Sequence, residues 1–303
     1  MEQENMPVEQ EQTETIEQEA GILVAEAPQQ KKKPYLLIAA IAAGAVLLVG
    51  AVVGMLLHLG QRREPLPATT ESTVQETQSV FTPNPYGPTD FQYEGDYLTC
   101  LAGESMLGVD VSSFQGNIDW EQVRAAGVTF AMIRVGGRGY GQEGTLYEDS
   151  LAQANYAGAK AAGLQVGAYF FSQAVSVEEA EEEAAYLLEL IRDWELELPV
   201  VFDWEYLNEE ARTANVDKRT LTDCTLAFCQ KIQQSGCEPM IYFNPNQMAN
   251  HIYMEELTQY RSWLALYTDR MDFPHRVDLW QYTNAGSVPG IEGPVDINLY
   301  FSY

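Results

Sequence analysis

The chain has 303 residues, and its 44 acidic and 17 basic side chains give a formal net charge of −27. With 46% hydrophobic and 11% aromatic residues, it is too apolar to be disordered throughout. The excess of acid argues against nucleic acid as a partner, because a phosphate backbone is met by a basic surface.

The charge divides the chain into segments of different character. Residues 1–33 carry eight glutamates and end in three lysines, which predicts a disordered acidic tail with a basic flank. Residues 34–60 include an uncharged apolar run from Tyr35 to Leu57. At ~1.5 Å per residue this run is about 34 Å long as a helix, enough to cross a bilayer. The sequence therefore predicts one transmembrane helix.

The flanks of this helix suggest its orientation. Three lysines, Lys31 to Lys33, precede it and two arginines follow it, so the N-terminus is expected in the cytoplasm. Residues 61–96 are rich in Thr, Pro and Ser and predict an extracellular stalk. Residues 97–303 are then an extracellular globular domain held at the cell membrane.

Strand-like and helix-like stretches alternate along this domain. The predicted strands are residues 107–111, 128–135, 164–171, 199–205, 239–243, 262–267, 278–282 and 296–301. The predicted helices are residues 119–126, 147–162, 177–194 and 218–235, with the acids of 178–183 mostly on a solvated face. This α/β order indicates a parallel sheet with helices outside it, and eight strands indicate a closed, TIM-like barrel. The last three strands leave little room for helices, so the barrel is expected to be irregular.

The cysteines leave two possibilities open. Cys229 and Cys237 flank a predicted helix end and could form a disulfide, whereas Cys100, Cys224 and these two could equally be buried free thiols. The chain has no Cys-x-x-Cys motif and no paired histidines, so neither a metal nor a cofactor is predicted.

Carboxylates lie at the ends of several predicted strands, where barrel enzymes place their chemistry. The strand containing Val201 continues into Asp203 and Glu205, and side-chain alternation puts all three on one face. Mutual repulsion and partial burial should keep one of the two acids protonated. A protonated carboxyl group beside an ionised one is the pair of groups that cleaves a glycosidic bond in glycoside hydrolases. A structural pair bridged by Arg134, or a pair capping a loop, is the alternative.

Several short motifs follow one another along the domain. They are Gly108–Gly116, Ile118–Trp120, Phe130–Arg134, Gly167–Phe170, Asp203–Glu205, Leu279–Thr283 and Gly293–Asn298. In their order and spacing they resemble the glycoside hydrolase family 25 lysozymes, the N-acetylmuramidases of the Chalaropsis type, from Leu107 to Tyr303.

The resemblance implies a barrel of five β/α units followed by three strands, (β/α)5(β)3. It also implies cleavage of the β-1,4 bond between N-acetylmuramic acid and N-acetylglucosamine in peptidoglycan. On this resemblance Glu205 is the general acid, and Asp203 orients the 2-acetamido group or stabilises positive charge at the anomeric carbon. Asp110 and Asp296 correspond to the two other acids of the catalytic cleft.

Candidate substrate-binding residues complete the expected site. They are Tyr169, Tyr242, Trp280, Gln281 and Arg134. Many members of the family have His at the position of Phe170, so a hydrogen-bonding group near the cleft is expected to be missing here.

Other classes of protein fit less well. A chitinase-like strand would carry an acid at Val201, and the glycines of 136–141 lack the dinucleotide-binding spacing. A catalytically inactive, membrane-tethered wall-binding protein remains the alternative. The expected partners are peptidoglycan glycan strands and membrane lipid, with the protein a monomer.

Overall fold

The computed structural model describes residues 80–303. The predicted tail, the predicted transmembrane helix and the predicted stalk up to residue 79 lie outside the described residues. Between residues 80 and 303, none of the helices combines the length and apolar character needed to cross a membrane.

Residues 80–303 contain eleven strands. They are β1 (Phe91–Glu94), β2 (Tyr97–Cys100), β3 (Ser105–Val111), β4 (Phe130–Arg138), β5 (Leu146–Glu148), β6 (Gln165–Ser172), β7 (Val200–Trp204), β8 (Pro239–Phe243), β9 (Arg261–Ala265), β10 (Leu279–Gly286) and β11 (Val295–Phe301). Eight of them close into a barrel in the order β3, β4, β6, β7, β8, β9, β10, β11, with β11 pairing back onto β3. Only β11 runs antiparallel to its neighbours in the barrel. Strand β5 extends the sheet at β4, and β1 and β2 form a separate hairpin.

Five helices connect the barrel strands. They are α1 (Trp120–Ala125), α2 (Ala152–Ala161), α3 (Val177–Leu190), α4 (Lys218–Gln234) and α5 (Pro245–Asn250). One helix follows each of β3, β4 with β5, β6, β7 and β8, whereas β9, β10 and β11 follow without α-helices. The expected (β/α)5(β)3 barrel is therefore confirmed. The predicted helix 147–162 begins later, because Asp149 turns the chain and accepts the N–H of Leu151.

Side-chain alternation divides the apolar residues into two layers. One set fills the barrel and includes Phe130, Met132, Val201 and Leu279. The other set lies between the strands and the helices, where Phe202 of β7 packs on Phe228 of α4 at 5.0 Å between ring centroids. The apolar interior set gives way to polar side chains at the carboxyl ends of the strands. This end of the barrel, called the mouth below, is where barrel enzymes have their active sites.

One acidic residue of helix α3 that was predicted on the solvated face is buried instead. Ser176 caps the helix, and Glu178, Glu181 and Glu182 are exposed as expected. Glu183 is instead fully buried and accepts hydrogen bonds from Arg138 at 2.8 Å and Ser172 at 2.6 Å. The reason is helical geometry, because Glu183 lies on the same face as Ala180 and Leu187 and points into the sheet.

The folded part begins before residue 97, the predicted start of the domain. Phe91 of β1 packs edge-on against Trp280 at 5.1 Å, and the N–H of Leu98 donates to the Tyr282 hydroxyl. Upstream, the Phe81 ring stacks on His275 at 4.4 Å. The end of the predicted stalk therefore packs on the barrel, because it carries aromatic side chains among its polar ones.

The described cysteines are all free thiols. Cys229 is buried within α4 and Cys237 is partly exposed, so the possible disulfide between them is not formed.

Candidate active site

Strand β7 brings the two central acids to the mouth of the barrel. Asp203 lies between Phe171 of β6 and Tyr242 of β8 in the register of the sheet, and it is only 6% exposed. Val201 points into the barrel while Phe202 faces the helices, so alternation places Asp203 on the inner side. Glu205 follows the last residue of β7 and is partly exposed.

A second pair of acids faces this strand from the other side of the mouth. Asp110 of β3 and Asp296 of β11 are opposite each other in the antiparallel register. Burial raises the pKa of Asp110, against hydrogen bonds with Asn298, Gln281 and Asp296 that lower it. The carboxyl group of Asp110 is therefore harder to ionise than that of an exposed aspartate.

Amide side chains fix Asp110 in place. Its Oδ2 accepts from Gln281 Nε2 at 2.9 Å and from Asn298 Nδ2 at 2.7 Å. The Oδ1 of Asn298 in turn accepts from the indole N–H of Trp263 at 2.9 Å. These bonds join four neighbouring strands, β3, β11, β10 and β9, so the orientation of Asp110 is set by the sheet rather than by a loop.

Aromatic side chains form the wall of the mouth. Tyr169 and Tyr242 pack edge-on against Trp263 at 6.0 and 5.1 Å. The hydroxyls of Tyr242 and Tyr267 both donate to Gln281 Oε1 at 3.0 Å. Burial raises the pKa of Tyr242, and the charges of Glu205, Asp203 and Asp110 raise it further. The hydroxyls therefore remain protonated, and the four acids lie within electrostatic reach of them.

Arg134 brings positive charge to the same end of the barrel. It is buried on β4, donates to Asp149 at 3.0 Å and lies 4.8 Å from the ring of Phe114. Burial raises the pKa of Tyr169, and the Arg134 charge acts against that rise. Arg134 therefore acts on the same tyrosine as the charges of Asp110, Asp203 and Asp296, and it has Asp149 as an ion-pair partner.

Trp280 does not line the mouth, so its prediction as a substrate contact is corrected. Gln281 faces the interior, and alternation along β10 therefore turns Trp280 outward. The Trp280 ring is fully buried under Phe91, and its indole N–H donates to the Leu266 carbonyl at 2.8 Å. Trp280 is a core residue.

The prediction that Phe170 lies near the cleft is corrected in the same way. Tyr169 points into the barrel, so Phe170 points outward and packs on Tyr186 of α3. The departure from His at this position alters the layer between sheet and helix, and it leaves the lining of the mouth unchanged.

Two lining residues were missed from the sequence. Asn298 lies two residues after Asp296 on β11, so strand alternation could have placed both on the inner face. Tyr267 follows β9, and it lies two residues after the inward-facing Ala265 within the predicted strand 262–267, so alternation could have placed it on the inner face too. The described residues contain no group of three or more His, Cys, Asp or Glu side chains that could hold a metal ion.

A barrel with Asp203 and Glu205 at the end of one strand, and Asp110 and Asp296 across its mouth, has the carboxylates that glycoside hydrolases use. The profile of glycosyl hydrolases family 25 matches residues 109–291, and the chain belongs to this family. The prediction of a family 25 glycoside hydrolase is confirmed.

Known proteins similar to the chain include named lysozymes. Lysozyme M1 of Streptomyces globisporus is 27% identical over 204 residues, which cover 64% of this chain and 67% of that protein. A family 25 glycosyl hydrolase from Bacillus anthracis has a similar fold, with a TM-score of 0.56 and 21% identity over 70% of this chain and 95% of that chain.

The modular autolysin LytC of Streptococcus pneumoniae also has a similar fold, with a TM-score of 0.58 and 23% identity. The match covers 65% of this chain and 47% of the autolysin, so the chain spans about half the length of that relative. The autolysin has also been solved in complex with a synthetic peptidoglycan ligand.

Proposed function

We propose that the chain is a peptidoglycan hydrolase of the Chalaropsis type, an N-acetylmuramidase. It cleaves the β-1,4 bond between N-acetylmuramic acid and N-acetylglucosamine. The observation that carries the proposal is that Asp203 near the end of β7 and Glu205 just after this strand both lie within electrostatic reach of Tyr242 in the mouth. The lysozymes among its relatives and the peptidoglycan ligand of the autolysin support the choice of substrate.

Asp203 and Glu205 take different roles in this proposal. Glu205 donates a proton to the glycosidic oxygen as the bond from the anomeric carbon to that oxygen breaks. The acetamido oxygen of the substrate attacks the anomeric carbon, while Asp203 orients the acetamide and stabilises its positive charge. Water then opens the ring so formed, with Glu205 accepting its proton. The product therefore has the configuration of the substrate.

Substitution of each acid tests this assignment. Glu205→Gln and Asp203→Asn should each lower the release of reducing ends from purified peptidoglycan by about 10²- to 10⁴-fold. Glu104→Gln is the matched control, because Glu104 is an exposed carboxylate just before β3, whose first residues lie far from the mouth. Equal activity of Glu205→Gln and wild type would show that Glu205 is not the general acid.

The products of the reaction test both the assistance by the acetamide and the presence of any activity. An NMR measurement of the first-formed anomer should give the retained configuration, and an inverted product would exclude assistance by the acetamide. Muropeptides should end in N-acetylmuramic acid. Absence of release from several wall types would instead favour a wall-binding protein without activity.

We also propose that residues 34–60 anchor the enzyme in the cell membrane, with the N-terminus in the cytoplasm and the catalytic domain outside. The support is the uncharged run from Tyr35 to Leu57. Cell fractionation should find the full chain with the membrane, and a variant lacking residues 34–60 should not be found there. Protease added to intact cells should remove the domain and spare an epitope on residues 1–30.

A further inference from the structure

The backbone that carries Glu205 lies just beyond the end of the sheet. Pairing of β6 with β7 ends at Ser172 and Trp204, and pairing of β7 with β8 ends at Asp203 and Tyr242. Glu205 therefore follows the last ladder hydrogen bonds on both sides. A side chain that transfers a proton needs a fixed backbone, so other groups have to replace the ladder here.

Two buried glutamines bind consecutive carbonyls at this point. Gln173, 0% exposed at the end of β6, donates its side-chain amide N–H to the carbonyl of Glu205 at 3.3 Å. Gln247, 3% exposed in α5, donates its amide N–H to the carbonyl of Trp204. Because successive carbonyls of an extended chain point to opposite sides, the two amides continue the ladder towards both neighbouring strands.

Each glutamine is itself held by further hydrogen bonds. The Oε1 of Gln173 accepts from the Thr213 hydroxyl at 3.0 Å, and its carbonyl accepts from Arg212 at 2.6 Å. The backbone N–H of Gln173 donates to the buried Glu183 at 3.3 Å. With the oxygen of the amide occupied, its NH2 group has two donors, one for the Ser172 carbonyl at 2.9 Å and one for the Glu205 carbonyl, so Gln173 joins the ends of β6 and β7.

Gln247 is fixed by the capping box of α5. Its Oε1 accepts from the backbone N–H of Asn244 at 2.8 Å, and its own N–H donates to the Asn244 side chain at 3.0 Å. The short helix after β8 therefore presents a donor to the end of β7.

We propose that Gln173 and Gln247 are positioning residues that hold Glu205 at the glycosidic oxygen. This inference rests on the proposed function, in which Glu205 is the general acid. Removal of either amide donor lets the backbone at Glu205 shift. The rate of proton donation by Glu205 then falls, whereas the binding of the glycan is retained. A displacement near 1 Å costs up to about 10²-fold in rate.

Two substrates separate a positioning role from a general loss of structure. One is a peptidoglycan glycan strand, whose leaving sugar needs a proton. The other is a 2,4-dinitrophenyl β-glycoside of the same repeating disaccharide, whose leaving group departs without one. The variants Gln173→Met and Gln247→Met in the full chain keep the side-chain volume and remove the donor, and Gln173→Glu keeps the acceptor for Thr213.

We expect each variant to lower kcat on the glycan by about 10- to 100-fold with unchanged KM. Release of dinitrophenolate in the first turnover, a step that needs no proton from Glu205, should fall less than about threefold. Gln165→Met is the control, because Gln165 is an exposed glutamine at the first position of β6, at the opposite end of this strand from Gln173. Its ratio of the two activities should equal that of wild type.

Equal losses on both substrates, or no loss on either, would overturn the positioning role. Glu205→Gln measured in parallel identifies a failure of the proposed function, because it should show the same selective loss. If Glu205→Gln keeps full activity on the glycan, the assignment of the general acid fails together with the inference. If only the glutamine variants lack the selective loss, the inference alone fails.

Discussion

At the scale of single residues, strand alternation decides which aromatic side chains can meet a sugar. Trp280 and Gln281 are adjacent, yet the first is buried in the core and the second binds Asp110 in the mouth. Tyr267 is 50% exposed, and its hydroxyl binds the same Gln281. Composition cannot make this distinction, because it depends on the phase of the strand.

Tyr267 and Trp280 should therefore respond differently to substitution. Tyr267→Ala removes an exposed ring within electrostatic reach of Asp296 and Glu205, and it should raise KM for glycan strands about 5- to 30-fold, since a stacked ring contributes on the order of 1 to 2 kcal/mol. Trp280→Phe should leave KM unchanged and lower the free energy of unfolding by about 1 to 3 kcal/mol. Steady-state kinetics and urea titrations measure both. A raised KM for Trp280→Phe together with an unchanged KM for Tyr267→Ala would mean that Trp280, and not Tyr267, contacts the substrate.

Glu183 gives the domain a pH-dependent stability. Burial raises its pKa to about 7, against hydrogen bonds from Ser172 and Arg138. Arg138 keeps its charge, because hydrogen bonds to Glu182 and Glu183 raise its pKa against the effect of its burial. For an acid with a raised pKa in the folded state, the folded protein binds more protons than the unfolded chain. Stability from this group is therefore greatest below the unfolded pKa and falls as the pH rises to about 7.

The variant Glu183→Gln should lack this dependence. Between pH 5 and 8 the free energy of unfolding of wild type should fall relative to the variant, by on the order of 1 to 3 kcal/mol. Urea unfolding at several pH values, with Glu181→Gln as the exposed control on the same helix, measures the difference. A constant difference between wild type and Glu183→Gln across this range would contradict the assignment.

At the scale of elements, long apolar runs and their order were enough to predict the barrel. Strand β8 has the predicted bounds, and the inward direction of Asp203 followed from alternation in β7. Strand β5 and helix α5 were missed because they are short and polar, so their position depends on tertiary contacts. The glutamines that bind the end of β7 were missed for the same reason, since an amide shows its partner only in the folded chain.

The hairpin of β1 and β2 should contribute to the stability of the barrel. Phe91 is buried against Trp280 and Phe301, so Phe91→Ala should lower the free energy of unfolding by about 3 kcal/mol. Tyr93 lies on the same strand and is 53% exposed, and Tyr93→Ala should change it by less than about 0.5 kcal/mol. Denaturant titration compares the two. Equal effects would mean that the hairpin is not part of the cooperative unit.

At the scale of the whole molecule, the acidity of the domain matters for how the enzyme meets its substrate. Residues 97–303 carry 30 acidic and 12 basic side chains, and the helix face with Glu178 and Glu181 accounts for part of the excess. The peptidoglycan proposed as substrate is itself anionic. Long-range electrostatics therefore oppose the encounter, and binding depends on local contacts in the mouth of the barrel.

Salt should consequently increase the rate on intact wall. Screening shortens the Debye length from about 30 Å at 0.01 M to about 8 Å at 0.15 M ionic strength, so repulsion between the domain and the wall weakens. We expect kcat/KM to rise several-fold over this range, with kcat unchanged. A variant with Glu178→Lys and Glu181→Lys, both exposed on α3, should have a higher kcat/KM at low salt and a flatter dependence. A rate that falls with salt in both proteins would instead indicate attraction between a local basic group, such as Arg134, and the wall.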